Sequence, residues 1–246
     1  MNRPTLMLML VLTVSLVSAC SQYRLPHRVD VPVSPPAASR VESEQLSWWA
    51  IRFRIAWPED TDRDQAMALL LADAVVAPVL RRYAGQIVWW RFHRRAARDH
   101  AGHQLSFLFY SNPDVAARIV TDIQQSEVLQ SARVAGKVEK VRYPDTEKPD
   151  RPGIEFYSDP GWPVAVQRTW PSYIMGVSAM WLGLIDELRD HEPEQGEDFD
   201  LLLEQYRDID QQVFDLWYEE GQHALLHHLS AVFGYQPIRI QKAIRF

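Results

Sequence analysis

The order of strand and helix patterns between residues 45 and 143 restricts the chain to few folds. In "WWAIRFRI", residues 48–55, the apolar side chains of Trp49, Ile51 and Phe53 alternate with other side chains, which is typical of a half-buried strand. Further patterns follow in this order: a helix from residue 64, strands at 86–92 and 104–110, a helix from residue 111, and one longer or broken strand at 128–143. We therefore predict the order β-α-β-β-α-β, which folds most simply as one antiparallel sheet with both helices on one face, as in ferredoxin-like domains.

Residues 144–246 are predicted to pack on the same domain as a proline-rich loop followed by two long helices. Apolar residues recur at helical spacing in 171–189 and again in 199–232. The acidic segment between them is short, which favours an antiparallel pair. The predicted fold class is therefore α+β, with two antiparallel C-terminal helices after the ferredoxin-like region. We also expect Pro78 to kink or end the first helix, because proline has no backbone N–H to donate.

Residues 1–19 have the organisation of a secretory signal peptide. Arg3 supplies a positive charge, Leu6–Val17 is an uncharged apolar stretch, and the small residues Ser18 and Ala19 come last. A membrane-spanning helix needs roughly 20 apolar residues, which is more than this stretch provides. The sequence therefore predicts a leader that is removed.

Cys20 is the only cysteine in the chain, so it has no intramolecular disulfide partner. The residues "VSAC", 17–20, resemble the lipobox of bacterial lipoproteins. The resemblance implies cleavage before Cys20, a diacylglyceryl thioether on its sulfur, and a fatty acyl group such as palmitate on the new amino terminus. Because Ser21 rather than Asp follows the cysteine, it also implies the outer membrane, in the inner leaflet facing the periplasm. The alternative is an unlipidated Cys20 behind a plain signal peptide.

Residues 20–44 contain the lipidated cysteine and, after it, four prolines with little apolar periodicity. Such a composition predicts a partly extended tether between the lipid and the folded domain. A tether of this kind lets the domain reach a partner away from its own membrane.

Composition and missing motifs limit the possible functions. The formal net charge of -6 argues against a general nucleic-acid-binding protein, which would carry a basic surface. The sequence has no GxSxG, P-loop or GxGxxG motif. We therefore predict no cofactor, and an enzymatic activity is not indicated.

Residues 46–143 contain the strand patterns "WWAIRFRI", "WWRF" and "HQLSFLF" in that order. This succession resembles the C-terminal domain of lantibiotic dehydratases, also called the thiopeptide-type bacteriocin biosynthesis domain. In that family the domain acts on a precursor peptide with an activated Ser or Thr, and the donor is cytoplasmic glutamyl-tRNA. A periplasmic lipoprotein has no access to this donor, so the activity is not transferred. The family's cationic strand pair is similar to a set of possible binding residues here, namely Arg52, Arg54, Arg91 and His103.

Two histidine-containing stretches raise the question of a metal site. His93, His100 and His103 lie close together in sequence, but without a carboxylate or thiolate at a defined spacing they are better explained as a polar hairpin. Glu220, His223 and His227 would share one face of a helix, a pattern that binds Zn or Ni. A second Glu-x-x-His is absent, so we predict an exposed helix face and no metal.

Together these patterns predict a lipid-anchored periplasmic lipoprotein that works as a non-enzymatic binding or assembly module. Its partners would be the lipid bilayer, through acylated Cys20, and a periplasmic protein, peptide or glycan. The alternative is a peptide-modifying enzyme related to the lantibiotic dehydratase C-terminal domain. Convergence of the three arginines with His103 in one cleft would favour the enzyme.

Overall fold

The structure, a computed structural model, describes residues 46–190 and 196–238. The predicted leader, the predicted lipidation site at Cys20 and the predicted tether at 20–44 lie outside the described residues.

A four-stranded antiparallel sheet forms the centre of the fold. Its strands, in the spatial order β2-β3-β1-β4, are β1 (Ser47–Ile55), β2 (Trp89–Arg95), β3 (Gln104–Ser111) and β4 (Val138–Arg142). The mixed α/β class and the antiparallel sheet predicted from the sequence are confirmed.

Helices connect and follow the strands. They are α1 (Ala66–Leu70), α2 (Ala77–Arg82), α3 (Pro113–Gln124), α4 (Glu127–Val134), α5 (Val164–Leu188), α6 (Phe199–Glu220) and α7 (His228–Val232). Two π-helical segments, Leu71–Val76 and Gly221–His227, join α1 to α2 and α6 to α7, and a short 3-10 turn covers Ile154–Tyr157. None of the described helices combines the length and the hydropathy that crossing a membrane requires.

The helices cover one face of the sheet and create the main core there. Side chains that alternate along β1 and β3, including Ile51, Phe53, Phe107 and Phe109, are fully buried against the helices. Each such side chain contributes about 1.5–3 kcal/mol relative to full exposure. The period-two pattern in the sequence therefore identified the buried face of β1 correctly.

The first helix does not end at Pro78, which was one of the two outcomes expected from the sequence; the other was a kink. The chain passes through the π-helical segment Leu71–Val76 and continues as α2, with Pro78 in its first turn. Proline is tolerated at the start of a helix, where its missing N–H has no intrahelical partner to lose. The widened π-helical turn just before it leaves the helix unbroken.

The predicted strand at 128–143 is wrong in its first half. Residues 127–134 form α4, because the Ser126 hydroxyl accepts a hydrogen bond from Leu129 N–H (3.3 Å) and caps the helix. Gly136, with φ of +68°, then turns the chain into the short strand β4. The cap and the glycine were visible in the sequence, but the apolar residues around them suggested one longer or broken strand.

Helix α5 begins at Val164, seven positions before the predicted start, and Pro171 lies inside it. The helix packs along the outer edge of β2. There the backbone N–H of Phe92 donates to the Ser178 hydroxyl at 3.1 Å, and the Ser178 hydroxyl donates to Ile174 O. A serine on α5 thus satisfies a backbone donor that no neighbouring strand reaches.

A buried polar network ties the C-terminal helices to the first helix. Asp73, in the π-helical segment after α1, accepts hydrogen bonds from the Tyr206 hydroxyl on α6 (2.5 Å) and from the Arg189 guanidinium at the end of α5. Arg189 also contacts Asp186. Burial alone lowers the pKa of Arg189, but the Asp73 carboxylate outweighs it and the pKa is raised. The network fixes three elements at one point.

Candidate cationic face of the sheet

The face of the sheet that points away from the helices carries most of the basic residues of the strands. Side chains alternate between the two faces along each strand, so every second residue of β1, β2 and β4 belongs to this face. We call it the cationic face and define it by Arg52, Arg54, Arg91, His93, Arg95, Lys140 and Arg142. The strands hold these side chains in register, which makes their order across the sheet well defined.

Two neighbouring rows of the cationic face can be read from the strand pairing. In the first row Arg142, Arg52, Ser106 and His93 lie side by side across β4, β1, β3 and β2. In the second row the order is Lys140, Arg54, Gln104 and Arg95. Within both rows the β4 and β1 positions carry charges of the same sign directly opposite each other.

Only part of this positive charge is compensated within the described residues. Arg54 forms an ion pair with Glu139 at 2.8 Å, and Arg95 pairs with Asp99 in the β2–β3 hairpin. Among the described side chains, no carboxylate pairs with Arg52, Arg91 or Arg142, which is a contrast with the paired arginines beside them.

Burial and the neighbouring positive charges shift the pKa values of side chains on this face, as Arg91 and His93 show. Burial lowers the pKa of Arg91, and its Nε is buried with no hydrogen-bond partner among the described atoms. Partial burial, followed by the charges of Arg91, Arg95 and Arg52, lowers the pKa of His93. The positive charges therefore favour the neutral form of His93, and a negatively charged ligand on this face would be stabilised electrostatically.

The other end of this face is apolar and is covered by the chain after β4. Trp48, Ala50 and Leu108 form a small second core. The covering segment is held by hydrogen bonds from Trp48 N–H to Arg151 O and from Trp48 Nε1 to Ile154 O, both 3.0 Å. The cationic rows thus begin where this cover ends.

A cleft of about 280 Å³ lies at the boundary between the covered and the cationic parts. It is lined by Trp48, Trp49, Ala50, Arg52, Tyr143, Pro144, Asp145, Lys148, Asp150 and Arg151. The cleft therefore combines an aromatic wall, the edge of β1 and one arginine of the cationic face.

The structure separates the four possible binding residues predicted from the sequence. Arg52, Arg54 and Arg91 share the cationic face, but His103 lies on the opposite, helix-covered face, where it is 3% exposed. Its ring packs edge-on against Trp57, with the ring centroids 6.1 Å apart. His103 therefore does not converge with the three arginines, because its position in the alternation of β3 matches Leu105 and Phe107 rather than Ser106.

The predicted helical face with Glu220, His223 and His227 is exposed, as expected, but its geometry differs. The π-helical segment Gly221–His227 alters the spacing, and the rings of His223, His227 and His228 lie 5.2–5.6 Å apart. Across 46–190 and 196–238, no group of three or more His, Cys, Asp or Glu side chains is placed to hold a metal ion.

Four residues of the cationic face were not identified from the sequence: His93, Arg95, Lys140 and Arg142. The predicted β2 ended at residue 92, one position before His93, while the observed strand continues to Arg95. The observed β4 is a short strand that begins at Val138. Alternation along correctly bounded strands would have found all four.

Comparison with known proteins gave no match. No family model, no curated protein and no solved structure is similar to this chain at a significant level. The interpretation of the site therefore rests on its own geometry and charge.

The depressed pKa values of His93 and His103 predict a loss of stability on acidification. Burial is the main cause at both positions, and Arg94 adds to it at His103. Below the unfolded-state pKa of about 6.5, the unfolded chain takes up protons that the folded chain does not, so the free energy of unfolding falls. Urea unfolding between about pH 7.5 and 5 measures this slope. We expect His93→Gln to flatten it, and an unchanged slope would contradict the assignment.

Proposed function

We propose that the chain is a lipid-anchored lipoprotein of the bacterial envelope whose folded domain binds an acidic partner through the cationic face. The lipobox-like residues 17–20 support the anchor, and residues 20–44 have the composition of a tether. The partner is a periplasmic protein or peptide that presents carboxylates. In this view the domain positions a partner and does not transform it.

The pairing of Arg52 with Arg142 is the observation that carries the proposal. Like charges directly opposite each other on one face of a sheet are destabilising, and here neither arginine has a carboxylate partner among the described residues. The buried, unpartnered Nε of Arg91 lies on the same face. A partner that supplies carboxylates reduces the repulsion between Arg52 and Arg142 and offers the Arg91 guanidinium an acceptor, in both cases through charge-assisted hydrogen bonds.

We further propose that the fold of residues 45–143 is ferredoxin-like. The succession of elements and the spatial order β2-β3-β1-β4 with all pairs antiparallel support this assignment. In such an arrangement one face of the sheet carries the helices and the other is free for binding.

The peptide-modifying alternative has less support. Convergence of His103 with the three arginines in one cleft would have favoured it, and His103 lies on the opposite face of the sheet. No other observation favours a catalytic role for the cationic face over binding.

Binding of a labelled poly-L-glutamate to the full chain in non-ionic detergent tests the proposal. We expect binding that weakens steeply with salt, and Arg91→Gln is expected to weaken it about tenfold, which corresponds to about 1.4 kcal/mol. Arg168→Gln is the matched control, because Arg168 is exposed on α5, outside the cationic face. Equal weakening by the two substitutions, or no binding at low salt, would overturn the proposal.

A further inference from the structure

The edge of β1 that faces β4 is only partly paired. The pairing with β4 covers Arg52–Ile55, and at the other end Trp48 N–H donates to Arg151 O. Backbone groups of alternate residues point to the same edge of a strand, so those of Ala50 point in the same direction as those of Trp48 and Arg52. Among the described residues, neither β4 nor the covering segment forms a backbone hydrogen bond with Ala50. Ala50 is 4% exposed and lines the cleft, so a ligand reaches its N–H and C=O only through the cleft.

Pro144 explains why this edge is left open. Continuing the β1–β4 register beyond the Arg52–Arg142 pair brings Pro144 opposite Ala50. Proline has no N–H and cannot donate to the Ala50 carbonyl, so it ends the ladder. The chain leaves the sheet there and returns at Arg151, and the cleft lies between these two points.

Two of the basic side chains that line the cleft are paired with a carboxylate, and the third is not. Lys148 pairs with Asp145 at 3.1 Å, and Arg151 pairs with Asp150 at 3.5 Å. Arg52 has no carboxylate partner among the described residues and faces the positive charge of Arg142 across the strands. The cleft thus contains one arginine whose charge is matched by no neighbour.

The size of the cleft limits what it accommodates. Its volume of about 280 Å³ lies just below the range of roughly 300–1,000 Å³ that is usual for small-molecule sites. A single open pairing position at Ala50 likewise fits the end of a chain better than a long strand. An extended peptide that adds to a strand edge obtains main-chain hydrogen bonds, and a terminal carboxylate obtains a bidentate contact from arginine.

We propose that this cleft binds the carboxyl-terminal end of an acidic peptide, with its terminal carboxylate on the Arg52 guanidinium and its backbone on Ala50. The inference rests on the proposed function, since Arg52 belongs to the cationic face. The rest of the peptide lies over the row that contains Arg52 and His93, next to Arg91 on β2. Recognition of the chain end adds directionality to an otherwise electrostatic interaction.

Two labelled oligoglutamates test this inference on the full chain in non-ionic detergent. One has a free terminal carboxylate, and the other ends in an amide but is longer by one glutamate, so that their total charges are equal. We expect the free acid to bind about tenfold more tightly. Arg52→Gln should abolish this preference, and Arg52→Lys, which keeps the charge but loses the bidentate geometry, should reduce it several-fold.

The outcomes separate the inference from the proposed function. If both peptides bind equally well and Arg91→Gln weakens the binding of both, the cleft does not recognise the terminal carboxylate. The cationic face still binds acidic peptides in that case. If neither peptide binds, both proposals are overturned. If Arg91→Gln weakens both peptides to the same extent and only Arg52 substitutions change their ratio, the assignment of the carboxylate to Arg52 is supported.

Discussion

Replacing Asp73 by Asn is expected to lower the free energy of unfolding by about 3 kcal/mol, at the lower end of the range for breaking a buried ion pair. In the wild-type protein the Asp73 side chain is 1% exposed and that of Arg189 is 9% exposed. The substitution leaves the arginine buried without its main counter-charge, and Asp186, which is closer to the surface, compensates only in part. For a domain of this size we expect the melting temperature to fall by about 6–12 °C.

Tyr206→Phe is the matched control for this prediction. It removes one hydrogen bond to Asp73 but keeps the Asp73–Arg189 pair and almost all of the packing. We expect it to lower the free energy of unfolding by about 1 kcal/mol. Thermal and urea unfolding of both variants provide the measurement, and a change below about 1 kcal/mol for Asp73→Asn would show that the network does not hold the helices together.

Removing the lipid attachment is expected to release the protein completely from the membrane fraction. Two or three acyl chains at about 0.8 kcal/mol per buried CH2 make dissociation of the lipidated form very rare. A chain with Cys20→Ala behind a leader that is cleaved without lipidation should appear in the soluble periplasmic fraction. Intact mass should show the loss of the acyl groups.

Ser21→Asp is the control for membrane location. It keeps the lipid and, by the resemblance to bacterial lipoproteins, should leave the protein in the inner membrane. If the Cys20→Ala protein has the mass and the fractionation of the wild type, Cys20 is not lipidated. The assignment to the periplasm then fails with it.

The sequence predicted the strands of the sheet better than the elements around them. Period-two alternation located β1 and β3 because their apolar face is fully buried, so packing enforces the pattern. At 127–134 the apolar residues alternate only weakly, and the helix cap formed by the Ser126 hydroxyl stabilises a helix instead of a strand. The early start of α5 at Val164 was hidden because Pro171 resembles a helix start, although the helix passes through it.

The site was predictable only in part, because a binding face depends on which strands become neighbours. Arg52 and Arg54 could be placed together, since both lie on β1 opposite the buried residues. The contact of Arg52 with Arg142 depends on the β1–β4 register, and two residues 90 positions apart give no local signal of it. His103 was grouped with the arginines through the family resemblance, which takes no account of its position in the alternation of β3.

The hydrogen bond from Phe92 N–H to Ser178 has a consequence for the tendency of the protein to aggregate. An open strand edge is a template for aggregation, and the proposed lipid anchor would concentrate copies of the chain in two dimensions. Helix α5 blocks that edge of the sheet. At the opposite edge, β4 is five residues long and carries Lys140 and Arg142, which repel an identical strand. Neither end of the sheet therefore favours the growth of fibrils.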